Sequence, residues 1–361
     1  MLQMPVSKEV GHRRAERKVS REKGTRQGQM NQLDKPIAAC VADLHLSAKA
    51  PTARSAERDW LKAQARQLDQ LRKLVTSPTG EQKIPVLAAG DVFDRWHAAP
   101  EVVNVALAHL PHLHAVFGNH DLPNHDPKQL QRSAFWTLVK AGKVTLLGDG
   151  RPFEISSPRQ PLRVWGFGYG CPPTPLAEPH DMYLEVALVH AFVWNKKLNT
   201  GHAAASEEQT TGAYRAALRG YDVAIFGDNH TPFEVTKTIR PDDDAPENLD
   251  LRYWSKQLLF NCGGYFRRRI NEIDHRPSVG LLHADGTIER HYLNCENDKF
   301  VDGADLKALT DTVDYQAFIE SLAELGDQAM DFAAAVRQTL DREKVPQTVR
   351  QLILTALEGN K

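Results

Sequence analysis

Five times along this chain an apolar run stops abruptly at a cluster of Asp, Asn, Gly and His. The stretches are AACVADLH (38–45), VLAAGDVFD (86–94), HAVFGNHD (114–121), VALVHAF (186–192) and VAIFGDNH (223–230). Short runs rich in Val, Ile, Leu and Ala read as buried strands. An acid or imidazole at the same end of every run constrains the fold. Loops at the carboxyl ends of adjacent strands converge in sheet proteins, and ligands collect there. Asp43, His45, Asp91, Asn119, His120, His190, Asp228 and His230 are therefore expected to meet at one edge.

The intervening segments read as helices. Residues 52–75 carry Leu61, Leu68, Leu71 and Val75 at helical spacing, 100–110 opens with Pro at its first turn, and 127–140 and 210–220 complete the set. From 233 to 293 the helices largely stop. FEVTKT, QLLFNC, SVGLLH and TIERHYL read as antiparallel strands, and Asp285-Gly286 supplies a hairpin turn. Strand–helix alternation followed by a strand-rich half predicts an α/β (α+β) fold of two mixed sheets packed face to face with helices outside. That domain spans 36–293. Residues 1–30 are polar and basic and read as a disordered tail, while 303–361 reads as a helical extension broken at Gly326 and Pro346.

Net charge is −1, so any pull toward nucleic acid must come from a local patch. Cys40, Cys171, Cys262 and Cys295 form no CxxC pair and read as buried thiols of a reducing compartment. No apolar run approaches the roughly 18 residues of a membrane span, and the N-terminus has no signal-peptide core. A cytoplasmic protein is expected.

Oxygen and imidazole ligands without a thiolate suit Mn²⁺, Fe²⁺, Zn²⁺ or Mg²⁺. The set is too large for one ion and suggests two that share a carboxylate. Such pairs clamp the attacking and leaving oxygens of a phosphoryl displacement.

DLH, GDVFD, GNHD, a lone His after an apolar strand and a final GDNH resemble, in order, the motifs of the calcineurin-like metallophosphoesterases, from about residue 36 to 293. The resemblance implies a four-layer fold and two divalent ions, with Mn²⁺ foremost. Asp43, His45 and His230 would hold the first ion, Asp91 would bridge, and Asn119 and His190 would hold the second. His120 would act at the scissile phosphate, with Asp121 orienting its ring, while a hydroxide held by the metals attacks phosphorus. Asp94 would be an acid behind the ligands or a helix cap. The family usually places His where this chain has Asp228, so Asp228 stands either as a harder, charged ligand favouring Mn²⁺ or Mg²⁺ or as a partner of a neighbouring ligand.

GDVFDRWHAAPE, GNHDLPNHD and NCGGYFRRRINEIDHRPSVGLLHADG resemble the SbcD-type recombination nucleases, including their phage-type members. That branch implies DNA as substrate, with Arg267, Arg268 and Arg269 as backbone contacts. It also implies an SMC-like ATPase docked on the C-terminal helices. Association of two copies stays open. A phosphatase or small-molecule phosphodiesterase is a second reading, and a non-catalytic binding module of the same fold a third. Of the remaining histidines, His97, His109, His112, His114, His180 and His202 read as surface residues, and His125 as a border of the substrate loop. The glycines of WGFGYG (165–170) do not form a dinucleotide fingerprint and read as tight packing at a strand exit.

Overall fold

Side-chain alternation along the apolar runs decides the layering. In the first strand, Ala39 and Val41 join one hydrophobic cluster while Ala38 and Cys40 join another; in the second, Val86 and Ala88 separate from Leu87 and Ala89 in the same way. Strands buried on both faces carry near-continuous apolar sequence. In this computed structural model, residues 35–157, 160–176, 182–193, 209–238 and 256–301 are described, with Leu340, Arg350 and Gln351.

One sheet contains β1 (Ala38–Val41), β2 (Val86–Ala89), β3 (Leu113–Val116), β4 (Val144–Leu146), β11 (Ser278–Leu282) and β12 (Ile288–Tyr292), in the order β12-β11-β1-β2-β3-β4. The other contains β5 (Phe153–Ile155), β6 (Leu162–Phe167), β7 (Leu184–His190), β8 (Val223–Gly227), β9 (Phe233–Thr238) and β10 (Lys256–Asn261), in the order β5-β6-β7-β8-β10-β9. β1 to β4 are mutually parallel, as are β6, β7, β8 and β10; antiparallel partners close both sheets.

The core between the sheets holds Leu87, Val116, Leu188, Ile225, Leu258 and Phe260. Helices α1 (Trp60–Val75), α2 (Pro100–His109) and α3 (Ala134–Lys140) cover the outer face of the first sheet, and α4 (Thr211–Ala217) packs Tyr214 on the outer face of the second. Each fully buried Leu or Val of α1, such as Leu68, Leu71 and Val75, contributes about 1.5–3 kcal/mol of burial.

Several boundaries differ from the sequence reading. α1 begins at Trp60, because the Asp59 side chain caps the Lys62 amide, and 52–54 is a separate 3-10 turn. The expected helix over 127–140 is split: Ser133 Oγ accepts from Trp136 and starts α3 anew after a 3-10 segment. β10 pairs antiparallel with β9 as expected, but on its other side it runs parallel to β8, which brings its carboxyl end beside the end of β8. The short edge strand β5 was not anticipated. The hairpin between β11 and β12 turns at Asp285-Gly286 as expected, with Gly286 at φ +79° and Asp285 Oδ1 accepting from Thr287.

Cys40 and Cys262 are buried, but Cys171 is exposed and Cys295 half-buried. Gly166 and Gly168 press on Leu147 and Phe117, in accord with the packing role expected for WGFGYG. The contacts divide the chain into one unit ending at Phe300 and another beginning at Val301. The expected tail (1–30) and most of the expected extension (303–361) lie outside the described residues, as do His180 and His202. Among the described residues, no helix is long and apolar enough to cross a membrane.

Candidate metal centre

The carboxyl ends of β1, β2, β3, β7 and β8 meet at one edge of the facing sheets. Their loops are knitted by backbone bonds: His45 N–H to the Asp91 carbonyl (2.9 Å), Leu46 N–H to Val92 (3.0 Å), and Tyr265 N–H to Asp43 (3.2 Å). Asp43, His45, Asp91 and Asp228 all adopt positive φ, between 44° and 78°. A left-handed backbone costs a non-glycine residue on the order of 1–2 kcal/mol, and such conformations concentrate where function requires them.

Glycine makes the close approach feasible. A β-carbon at Gly90 would collide with the His190 ring, one at Gly118 with the Asp91 carboxylate, and one at Gly227 with the Ala89 carbonyl. Gly90 and Gly118 are thus the spaces into which the His190 ring and the Asp91 carboxylate fit, and Gly227 lets β8 lie against the Ala89 carbonyl. The sequence reading noted these glycines without giving them this role, although their position just before each acid was the signal.

Three groups of acids and imidazoles converge: Asp43 with His45 and His230, Asp43 with Asp91 and His190, and His45 with Asp91 and His120. Nε2 of His45 lies 2.9 Å from Nε2 of His230 and 3.5 Å from Asp91 Oδ2. On the other side, Nε2 of His190 lies 3.6 Å from Asp91 Oδ2 and 3.0 Å from Asn119 Oδ1. The backbone carbonyl of Ala89 accepts from Nδ1 of His190 (2.7 Å), which turns Nε2 toward the centre. Asp43, His45, Asp91 and His190 are at most 2% exposed.

Asp228 belongs to none of these three groups among the described residues. Its backbone N–H donates to Asp43 Oδ1 at 2.8 Å. Next to it Asn229, which was not singled out from sequence, braces the loop: its Nδ2 donates to the Val193 carbonyl, and its own carbonyl accepts from Asn261.

Two expectations need correction. Asp121 does not orient the His120 ring through Nδ1: that nitrogen faces the Asp94 backbone carbonyl at 2.8 Å. The Asp121 carboxylate instead accepts from the amides of Val92, Phe93 and Gly118, tying two strand-end loops together. Three amides already converge on it, so it holds the loops rather than a ring. Arg267 is also committed to the fold, donating to Asp298, Ile273 and Cys295 and lying over the Phe300 ring. Arg268 instead contacts Asp94, and Arg269 is exposed. Asp94 stands beside His45 and His120 and caps no helix.

The electrostatics are those of charges crowded out of water. Burial pushes Asp43 well above the usual carboxylate range and Asp228 upward. Asp121 is pushed up to about 7, by burial and then by the Asp91 charge. His45 falls well below its ordinary value through burial and its imidazole neighbours, and His230 falls to about 3 through burial and the charges of Arg269 and Arg268. At His190 burial opposes the charge, but Asp91, Asp228 and Asp43 outweigh it and lift the group to about 9.

Asp43 Oδ2 is buried without a hydrogen-bond partner, and two imidazole nitrogens face each other across 2.9 Å. An unpaired buried carboxylate oxygen among inward-facing imidazoles is a donor set that a divalent cation satisfies. The residues therefore fit a metal.

Comparison with the curated proteins gives no match. Similar solved structures include a 5'-nucleotidase precursor from Thermus thermophilus (13% identity, TM-score 0.37, 79% of this chain and 59% of that one). They also include the sulfate thiohydrolase SoxB from Thermus thermophilus (12%, 0.38, 77% and 60%) and a metallophosphoesterase from Sphaerobacter thermophilus (14%, 0.30, 72% and 90%). The chain thus spans about three fifths of the first two. A family model described as calcineurin-like phosphoesterase matches residues 38–232, from the start of β1 to just past His230. That match takes in more than half of the chain and every strand end that supplies the centre, and the protein belongs to the calcineurin-like phosphoesterase family.

Proposed function

We propose that this phosphoesterase is a two-metal phosphodiesterase whose substrate is DNA. The observation that carries the reading is the convergence of three acid–imidazole groups that share Asp43, His45 and Asp91. Asp91 stands between His45 and His190, as a bridging carboxylate must. In this reading Asp43, His45 and His230 hold one ion and Asn119 and His190 the other. These oxygen and imidazole donors suit Mn²⁺, Fe²⁺, Zn²⁺ or Mg²⁺, and the family resemblance puts Mn²⁺ first among them. The Asp228 amide on Asp43 supports the reading in which Asp228 steadies a ligand. When bound, the ion pair supplies charge neutralisation and an activated water at phosphorus.

The chain's own residues do the rest. With Nδ1–H of His120 held on the Asp94 carbonyl, the imidazolium form carries its second proton on Nε2, gives it to the leaving oxygen and is left as the neutral Nδ1–H tautomer. Asp121 keeps the GDVFD and GNHD loops in register. DNA as substrate rests on the motif likeness to the SbcD branch and on Arg269, an exposed cation close enough to His230 for its charge to be felt there. The segment 303–361 is the proposed docking element for an SMC-like ATPase.

The test is hydrolysis of linear duplex and single-stranded DNA with Mn²⁺, beside His120→Ala. Metal-dependent degradation that falls about 10²–10⁴-fold in the variant is expected. Intact DNA with His120-dependent hydrolysis of an aryl phosphodiester moves the substrate to a small molecule. No turnover of either supports a binding module.

A further inference from the structure

Asp94 meets two imidazoles with different parts of itself. Its backbone carbonyl accepts from Nδ1 of His120 at 2.8 Å. Its Oδ1 stands 3.7 Å from Nδ1 of His45, a buried nitrogen with no hydrogen-bond partner. The same Oδ1 accepts from Nη2 of Arg268 at 2.5 Å. Asp94 is about a quarter exposed, so without a partner its carboxylate is at liberty to turn toward water.

Arg268 is delivered by a loop pinned on both sides of it. The amides of Arg268 and Arg269 both donate to Glu272 Oε2, at 2.6 and 3.0 Å. Arg267 is anchored in the opposite direction, on Asp298 and the Cys295 carbonyl. All of these residues lie beyond the segment matched by the family, which ends at 232.

An imidazole offers a metal or a substrate whichever nitrogen its other hydrogen bond leaves over. With Nδ1 of His45 on the Asp94 side, its Nε2 faces Asp91 and His230. Holding Nδ1 of His120 toward the same residue fixes that ring beside it, with centroids 4.7 Å apart in an edge-to-face pair. One residue thus borders two rings, and Arg268 holds the carboxylate that faces His45.

We infer that Arg268 is a positioning residue of the candidate metal centre, acting through the Asp94 carboxylate on the Nδ1 side of the His45 ring. The inference deepens the two-metal reading above and rests on it. A planar guanidinium restrains a carboxylate in direction as well as distance, which a lysine ammonium does less well.

The test uses the full chain as wild type, Asp94→Asn, Arg268→Ala, Arg268→Lys and the Asp94→Asn/Arg268→Ala double variant. Mn²⁺ affinity is read by calorimetry, kcat and KM on an aryl phosphodiester, and melting in chelator. Expected are metal-free melting close to wild type, Mn²⁺ affinity about 10–100-fold weaker in Asp94→Asn and Arg268→Ala, and a lower kcat at unchanged KM. Arg268→Lys recovers part of the loss, and the double variant loses no more than Asp94→Asn alone. If Arg268→Ala fails to fold, the isosteric Asp94→Asn decides. Variants that match wild type in Mn²⁺ affinity and kcat overturn the inference. So does a raised KM with affinity intact, which would make Arg268 a direct substrate contact. Wild-type protein that takes up no Mn²⁺ and hydrolyses nothing overturns the two-metal reading itself, and this inference with it.

Discussion

At the scale of single residues, the centre depends as much on missing atoms as on ligands. Gly118 leaves no room for a β-carbon, because the Asp91 carboxylate and the Asp91 amide nitrogen occupy the place it would take. Gly118→Ala should displace the carboxylate that lies between His45 and His190. We expect hydrolysis to fall at least about 10²-fold, since small misplacements in such sites are costly. Gly142→Ala is the control: its φ is +69° but nothing lies within 4 Å of the new atom. It should cost only about 1 kcal/mol of stability and leave turnover unchanged. Turnover assays and melting of both variants check this.

At the scale of elements, β3 meets the edge strand β5 of the second sheet through an aromatic stack. His114 stacks on Phe153 of β5, with centroids 3.9 Å apart and planes within 19°. Burial, and then His112, push His114 down to about 4. The neutral ring is therefore favoured in the folded state. Its contribution is complete above the unfolded value near 6.5 and is lost as pH falls from there toward 4. Between pH 7 and 5 the chain should lose about 1–2 kcal/mol from this source, after allowing for partial exposure. His114→Phe should flatten that dependence while keeping the stack; denaturant titrations at the two pH values measure it. Helices and strands were legible in the sequence wherever apolar periodicity was local, as in α1 and β7. The break at Ser133 was not, because a cap inside a periodic run changes the backbone without changing the pattern.

At the scale of the whole molecule, the first unit closes on itself near residue 300. Buried Arg54 holds Glu57 and Asp298 and lies 5.1 Å from the centroid of the Phe300 ring. A chain cut after Phe300 should fold and keep Mn²⁺ uptake and aryl phosphodiester hydrolysis, because every residue of the centre lies in that unit. On the proposed docking role of 303–361, the same cut should abolish capture of an SMC-like ATPase. Melting, calorimetry and pull-down with such an ATPase measure the three effects, and unfolding of the shortened chain would remove support for separate docking.

The strand-end motifs announced most of the centre before any fold was in view. An apolar run, a glycine and an acid are local patterns, and strands whose carboxyl ends lie together can only gather them at one edge. That logic reached Asp43, His45, Asp91, His120, His190 and His230, and the three groups contain them all. It did not reach Asp94 as the acceptor for His120, nor Arg268 as the partner of Asp94 across 174 positions of chain. Nor could it release Asp121 and Arg267 from the roles their neighbours suggested. Adjacency in sequence says which groups are near along the chain, whereas hydrogen bonds go to whichever donor the sheet order brings within 3 Å. Only the packing of two sheets and the loop after β10 decided that.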